Sequence, residues 1–266
     1  MKYKAKSSAL TIILVIAVVL ILLVGGVLWY IWQKNENNKP TSQPAETTSA
    51  STSQQERKYV ALGASTTKAN NLSTELVGDN PDYSFATGTK IDSVYSYLKS
   101  INRNITPVNL AESGVNSQTV LERQVPNALS YHPKYVTIDV MADFLESDSP
   151  QKLKGNLEEI ITQLKTDDAV VLVGSYPNLI KMRTAPYPSC KEDKLRVGFD
   201  KVTTERILAF NQAIKEVAQN SKVEYVENYD VLGPDDVSNY DCIHPNNEGQ
   251  KKLAQSWIRS LKSVLK

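Results

Sequence analysis

The chain has 266 residues, with 30 Lys and Arg against 29 Asp and Glu and a formal net charge of +1. So even a balance, with no basic stripe interleaved with aromatics, argues against a polyanion partner, and no nucleic-acid role is expected. The two histidines, His132 and His244, and the scattered carboxylates show no zinc-type spacing, so neither a metal nor another cofactor is expected.

Residues 1–8 carry Lys2, Lys4 and Lys6, and the 24 residues from Ala9 to Trp32 carry no charge. As a helix that run would span roughly 36 Å, enough to cross a hydrocarbon core of about 30 Å. It is longer than the apolar stretch of a cleavable signal peptide. It ends in Trp29, Tyr30 and Trp32, side chains suited to a membrane interface. Residues 9–32 are therefore read as an uncleaved transmembrane anchor. The lysine bias across it favours a cytoplasmic N-terminus and an extracytoplasmic body at the cell membrane. Residues 33–57 have only alanine and proline as apolar side chains, too few to bury a core, and are expected to form a disordered linker.

The body, residues 58–266, is large enough for one substantial core. Five apolar runs read as buried strands: "KYVALG" (58–63), "TPVNLA" (106–111), "YVTIDV" (135–140), "AVVLVGSY" (169–176) and "VEYVEN" (223–228). Helical stripes lie between and after them. One comprises Leu153, Leu157, Ile160, Ile161 and Leu164 and is opened by Ser149 and Pro150. A second, Ile207, Phe210, Ile214 and Val217, follows Thr203 and Thr204. The third, Leu253, Trp257, Ile258, Leu261 and Leu265, is entered through Asn246 or Asn247. Strands alternating with helices predict an α/β fold with an open parallel sheet covered on both faces. In such folds ligands bind beyond the carboxyl ends of the strands.

The residues at those ends are therefore the ones to weigh. Ser65 follows the first run in "GASTTKANN", Gly114 the second in "ESGVNSQTV", and Asp143 the third in "MADFLES". A long excursion, residues 175–201, follows the fourth and could wall a cleft. Asp241 and His244 follow the fifth, in "NYDCIHPNNEGQ". Each has an ordinary structural explanation when taken alone: a capping serine, a turn glycine, a hydrogen-bonded histidine. Cys190 and Cys242 are inert thiols if the body is cytosolic. On the exported side a disulfide becomes plausible, and it would join the excursion to the loop of Asp241 and His244.

Together, and in this order, "GAS", "NLAESG", "MADF" and "DCIHPNNEG" resemble the SGNH, or GDSL-type, hydrolase family across residues 58–266. The resemblance implies a flavodoxin-like three-layer sandwich with a central parallel sheet of about five strands and an esterase activity. It implies a catalytic Ser65 with His244 as base and Asp241 as orienter, and an oxyanion hole from the backbone N–H groups of Ser65 and Gly114. The family's third block has an asparagine at the oxyanion position. Read without gaps from the third strand, Asp143 takes that position and Met141 that of the family's glycine. Shifted by one, Ala142 takes it and Asp143 the aspartate after it. Asp143 can then serve as a third donor only if protonated.

The expected chemistry is acyl transfer through serine, with a lipid, glycan or small-molecule ester as substrate and the membrane as a partner through the N-terminal helix. An O-acyltransferase would use the same three residues. A non-catalytic domain binding acylated or glycan ligands in the same cleft is the alternative that the missing asparagine motivates.

Overall fold

The computed structural model describes residues 56–72, 77–139, 142–144, 148–191 and 202–266. The expected anchor (9–32), its flank (1–8), the linker up to residue 55, and Met141 lie outside the described residues. Among the described residues, no helix is long and apolar enough to cross a membrane.

The elements follow the expected alternation. Strand β1 (Arg57–Gly63) leads into the short helix α1 (Ser65–Lys68), then a hairpin of β2 (Asn70–Leu72) and β3 (Val77–Asp79). Helix α2 (Val94–Ile101) and strand β4 (Ile105–Asn109) come next. A helical segment then runs through α3 (Ser117–Thr119), a π-helical stretch (Val120–Gln124) and α4 (Val125–Leu129) to β5 (Tyr135–Asp139). The second half contains α5 (Pro150–Leu164), β6 (Val170–Gly174), α6 (Leu179–Met182), α7 (Pro188–Lys191), α8 (Thr204–Ser221), β7 (Glu224–Val226) and α9 (Asn247–Val264).

All five expected strands form one parallel sheet in the order β4-β1-β5-β6-β7, the doubly wound flavodoxin-like order. β1 is an internal strand, with Ala61 paired to Asn109 of β4 on one side and Thr137 of β5 on the other. Every residue of β5 is buried, as a strand covered on both faces requires. The helices fall into two groups. α3, α4, α5 and α8 pack in sequence along one face, and α2 and α9 pack together on the other. The predicted caps form: the side chains of Ser149, Thr203 and Asn246 accept backbone N–H groups of Lys152, Arg206 and Gly249, respectively. Trp257 of α9 stacks on Phe85 with centroids 5.3 Å apart and lies against Gly174, where a Cβ would run into the indole.

The structure departs from the sequence reading at several points. β1 begins at Arg57, one residue before the expected start, because Arg57 pairs with Ile105 and its N–H donates to Asn104 C=O at 2.9 Å. The β2–β3 hairpin and helix α2 have no counterpart in that reading. Each hairpin strand is three residues long, too short to show a period. α2 buries only Val94 and Leu98, which is too sparse a stripe to stand out.

Candidate active site

At the end of β1 the chain turns through Ala64 and enters α1 at Ser65. Gly63 makes this turn with φ +144°, and a Cβ there would meet the Asp139 carbonyl of the adjacent strand. The Gln124 side chain brackets the same residue. Its Oε1 accepts from Gly63 N–H and its Nε2 donates to Gly63 C=O, both at 2.9 Å. As the first helical residue, Ser65 has a backbone N–H with no intrahelical acceptor. Glu112 N–H donates to Gly63 C=O at 3.1 Å, so the chain leaving β4 runs beside the serine turn. Two residues on, Gly114 adopts φ +75° at an exposed position where an added Cβ would meet no atom within 4 Å. It is the backbone conformation that calls for glycine at this point.

Asp241 and His244 lie between β7 and α9, in a loop held by an antiparallel bridge from Val237 to Pro245 and by Ser238 N–H donating to His244 C=O at 2.8 Å. Oδ1 of Asp241 accepts the N–H groups of Ile243 (2.9 Å) and His244 (3.0 Å), closing a tight side-chain turn. Oδ2 lies 2.5 Å from His244 Nδ1. An ionised carboxylate only accepts, so Nδ1 carries the proton and Nε2 is left to accept. Nε2 lies 2.7 Å from Ser65 Oγ, a residue 179 positions away in sequence. The Asp241 side chain is fully covered while that of His244 is 16% exposed, so the carboxylate is dry and the imidazole is reachable. Cys242, with φ +60°, forms a disulfide with Cys190 (Cα–Cα 5.4 Å), which ties this loop to α7.

Asp143, read as a third oxyanion donor only if protonated, is an acceptor here. Its Oδ2 takes Ser117 N–H at 2.9 Å, its Oδ1 takes the Ser117 hydroxyl, and Tyr176 OH approaches Oδ2 at 3.5 Å. It is completely buried, and burial raises its carboxyl to about 6 despite the two Ser117 hydrogen bonds. Ala142, at the alternative position, is a buried apolar residue. A second acid, Asp139 at the end of β5, has no motif to mark it in the sequence. It accepts the Thr67 hydroxyl at 3.0 Å, and burial pushes it up to about 7. Burial, reinforced by these two acids, holds the Tyr176 phenol well above its ordinary range.

His132, with φ +47°, sits between α4 and β5, at the amino end of the sheet. It lines a cavity of about 830 Å³ there with Arg57, Arg103 and Lys134, away from the edge that carries Ser65. Among the described residues, no group of three or more His, Cys, Asp or Glu side chains is placed to hold a metal ion.

Comparison with known proteins agrees with this architecture. The family model for GDSL-like lipases and acylhydrolases matches residues 61–252. Among solved structures, the lipase/acylhydrolase from Enterococcus faecalis superposes with a TM-score of 0.59 at 16% identity, covering 78% of this chain and 96% of that one. TesA gives 0.55 at 19% identity, covering 78% and 99%. The psychrotrophic esterase EstA from Pseudoalteromonas sp. gives 0.55 at 17%, covering 79% and 98%. No curated protein matches the chain in sequence. With a family model spanning most of the body and the parallel sheet in the corresponding order, the chain belongs to the GDSL-like lipase/acylhydrolase family and is a hydrolase acting on esters.

Proposed function

We propose that the chain is a membrane-anchored, extracytoplasmic serine esterase working through an acyl-serine intermediate. The observation that carries this reading is the single imidazole of His244, which reaches Ser65 Oγ at 2.7 Å on one nitrogen and Asp241 at 2.5 Å on the other. Serine is a weak nucleophile until a base removes its proton. His244 Nε2 takes that proton as Oγ attacks the ester carbonyl, and Asp241 stabilises the imidazolium that forms. The charge developing on the carbonyl oxygen is met by the backbone N–H groups of Ser65 and Gly114. The imidazolium then protonates the departing alkoxide. Water, deprotonated by the same His244, releases the acid and restores Ser65.

Support for the exported placement comes from the uncharged run at 9–32 and from the disulfide between Cys190 and Cys242, which persists in oxidising compartments. The substrate class is an ester of a lipid, a glycan or a small molecule outside the membrane. Another structural neighbour is an acetyl-xylooligosaccharide esterase, 14% identical with a TM-score of 0.55, which makes short acyl esters of sugars a natural first panel.

The test uses the full chain in detergent micelles with p-nitrophenyl acetate and a fluorophosphonate probe. Wild type should hydrolyse the ester and take up one probe per chain, and Ser65→Ala and His244→Ala should do neither at a measurable rate. Undiminished hydrolysis in both variants would refute the mechanism.

A further inference from the structure

We infer that Gln250 is a positioning residue that sets the Ser65–His244 distance, an inference that rests on the catalytic reading above. Gln250 lies one turn into α9, six residues beyond His244, and is 2% exposed. Its Nε2 donates to the carbonyl of Thr66, the residue after the serine, at 3.0 Å. Its Oε1 accepts the N–H of Phe85 at 2.9 Å. These two bonds fix the orientation of the amide, since exchanging its ends would set donor against donor.

The surroundings show what this amide connects. The first turn of α9 is held as a block with the His244 loop. Asn246 N–H donates to Asp236 C=O at 2.9 Å, and its Nδ2 donates to Asp235 C=O (2.8 Å) and Val237 C=O (3.1 Å). Gly249 packs so closely on the Asp236 backbone that a Cβ would collide with it. Gln250 N–H closes the first turn onto Asn246 C=O at 2.9 Å. On the other side, Gln124 fixes Gly63, Asp139 holds Thr67, and Ser84 Oγ and Asn109 Nδ2 donate to Thr67 C=O at 2.6 and 3.0 Å. Thus the nucleophile turn is one braced unit and the histidine loop is another. Within this set of bonds, the Gln250 amide is the backbone-directed link from the histidine-bearing unit to the serine turn. The only other bond between those units in the set is Ser65 Oγ to His244 Nε2, which must break and re-form in every turnover. An amide that does not react can hold the gap while that bond is spent.

The sequence position supports a purpose beyond packing. Gln250 falls in phase with Leu253, Ala254, Trp257, Ile258 and Leu261, all buried. An apolar side chain would suit that stripe, and burying an amide is tolerated only where its partners are in place.

The experiment uses full-length protein in micelles and measures two quantities with a fluorophosphonate: the end-point of labelling, which counts folded sites, and the second-order rate, which reports Ser65 reactivity. Gln250→Met keeps the volume and removes both bonds. It should still label to one probe per chain, at a rate lowered by about tenfold or more. Gln250→Glu keeps the acceptor for Phe85 and can donate to Thr66 C=O only while its new carboxyl is protonated. Its rate relative to wild type should therefore rise as pH falls from 8 to 5. A fully labelled Gln250→Met within twofold of the wild-type rate overturns the inference. So does a reduced end-point with an unchanged rate in the labelled fraction, which is the signature of a purely structural role. If Gln250→Met does not fold, Gln250→Glu decides, and a rate ratio flat across pH overturns it. Labelling of Ser65→Ala at the wild-type rate would instead remove the nucleophile itself, a different failure that takes this inference down with it.

Discussion

Asp241 holds His244 twice, through the ring and through the backbone. One carboxylate oxygen lies 2.5 Å from Nδ1 and the other accepts the His244 N–H at 3.0 Å. The same side chain therefore sets the tautomer and shapes the loop. Asp241→Asn can keep an oxygen on the backbone N–H groups while losing the negative charge behind the imidazole. It should lower kcat by about 10⁴ with little change in KM, as loss of the orienting carboxylate does in serine triads. Asp241→Ala also removes the turn and should lose thermal stability that Asp241→Asn retains. Steady-state kinetics and melting curves on the pair check both parts.

The disulfide makes a second prediction. Cys190 and Cys242 are 52 residues apart, and closing a loop of that size removes about 4 kcal/mol of unfolded-state entropy in the chain-entropy model. Cys242 sits between Asp241 and His244, so the bridge restrains the loop that presents the imidazole. The double substitution Cys190→Ser with Cys242→Ser should lower Tm by roughly 8–16 °C and lower kcat more than it raises KM. Reduction of the wild type should reproduce both effects, and mass analysis after alkylation would count the freed thiols.

Much of this architecture can be read from the residues. The strands are short apolar runs because the sheet is covered on both faces, and Ser149, Thr203 and Asn246 mark helix starts because their oxygens satisfy orphan N–H groups. The three-residue spacing of Asp241 and His244 is local chemistry and equally visible. What stayed hidden depends on distance. Asp139 reads as one residue within the strand run 135–140, and only folding puts its carboxyl on Thr67 and buries both. Gln124 lies in the π-helical stretch ahead of Pro126, which shifts the helical register and so blurs its phase. Gln250 did leave a signal, a polar residue inside an apolar stripe. Asp143 matches a motif position, but which way its side chain turns is decided by Ser117, 26 residues away.

Gly114 offers a test of the oxyanion assignment in which crowding plays no part. Its φ is +75° and a Cβ would meet no atom within 4 Å, so Gly114→Ala adds only the cost of a left-handed backbone, about 1–2 kcal/mol. If its N–H faces the developing oxyanion, any backbone rotation that relieves that cost misdirects the donor. Gly114→Ala should then lower kcat by about 10²–10³, the effect of losing one donor, with a Tm change of only roughly 2–8 °C. Gly63→Ala is the contrast. There a Cβ collides with the Asp139 carbonyl, so folded yield should fall along with activity.

Asp139 gives the stability of the body a pH dependence with a definite sign. Burial raises its carboxyl from 3.8 to about 7, so the folded state holds a proton that the unfolded chain gives up. A folded-state value above the unfolded one means that the contribution is fully present below about pH 4. It declines as pH rises and is lost by the time pH has passed through about 7. Asp143, raised to about 6, acts in the same direction over a narrower window. Asp139→Asn keeps an oxygen for the Thr67 hydroxyl and cannot ionise. Its Tm should match wild type near pH 4 and exceed it at pH 8 by roughly 8 °C or more, about 4 kcal/mol in a body of this size. Melting curves from pH 4 to 8 measure this directly. A constant offset between the two proteins across that range would mean that Asp139 stays ionised in the fold, and the buried acid would need a cationic partner to explain it.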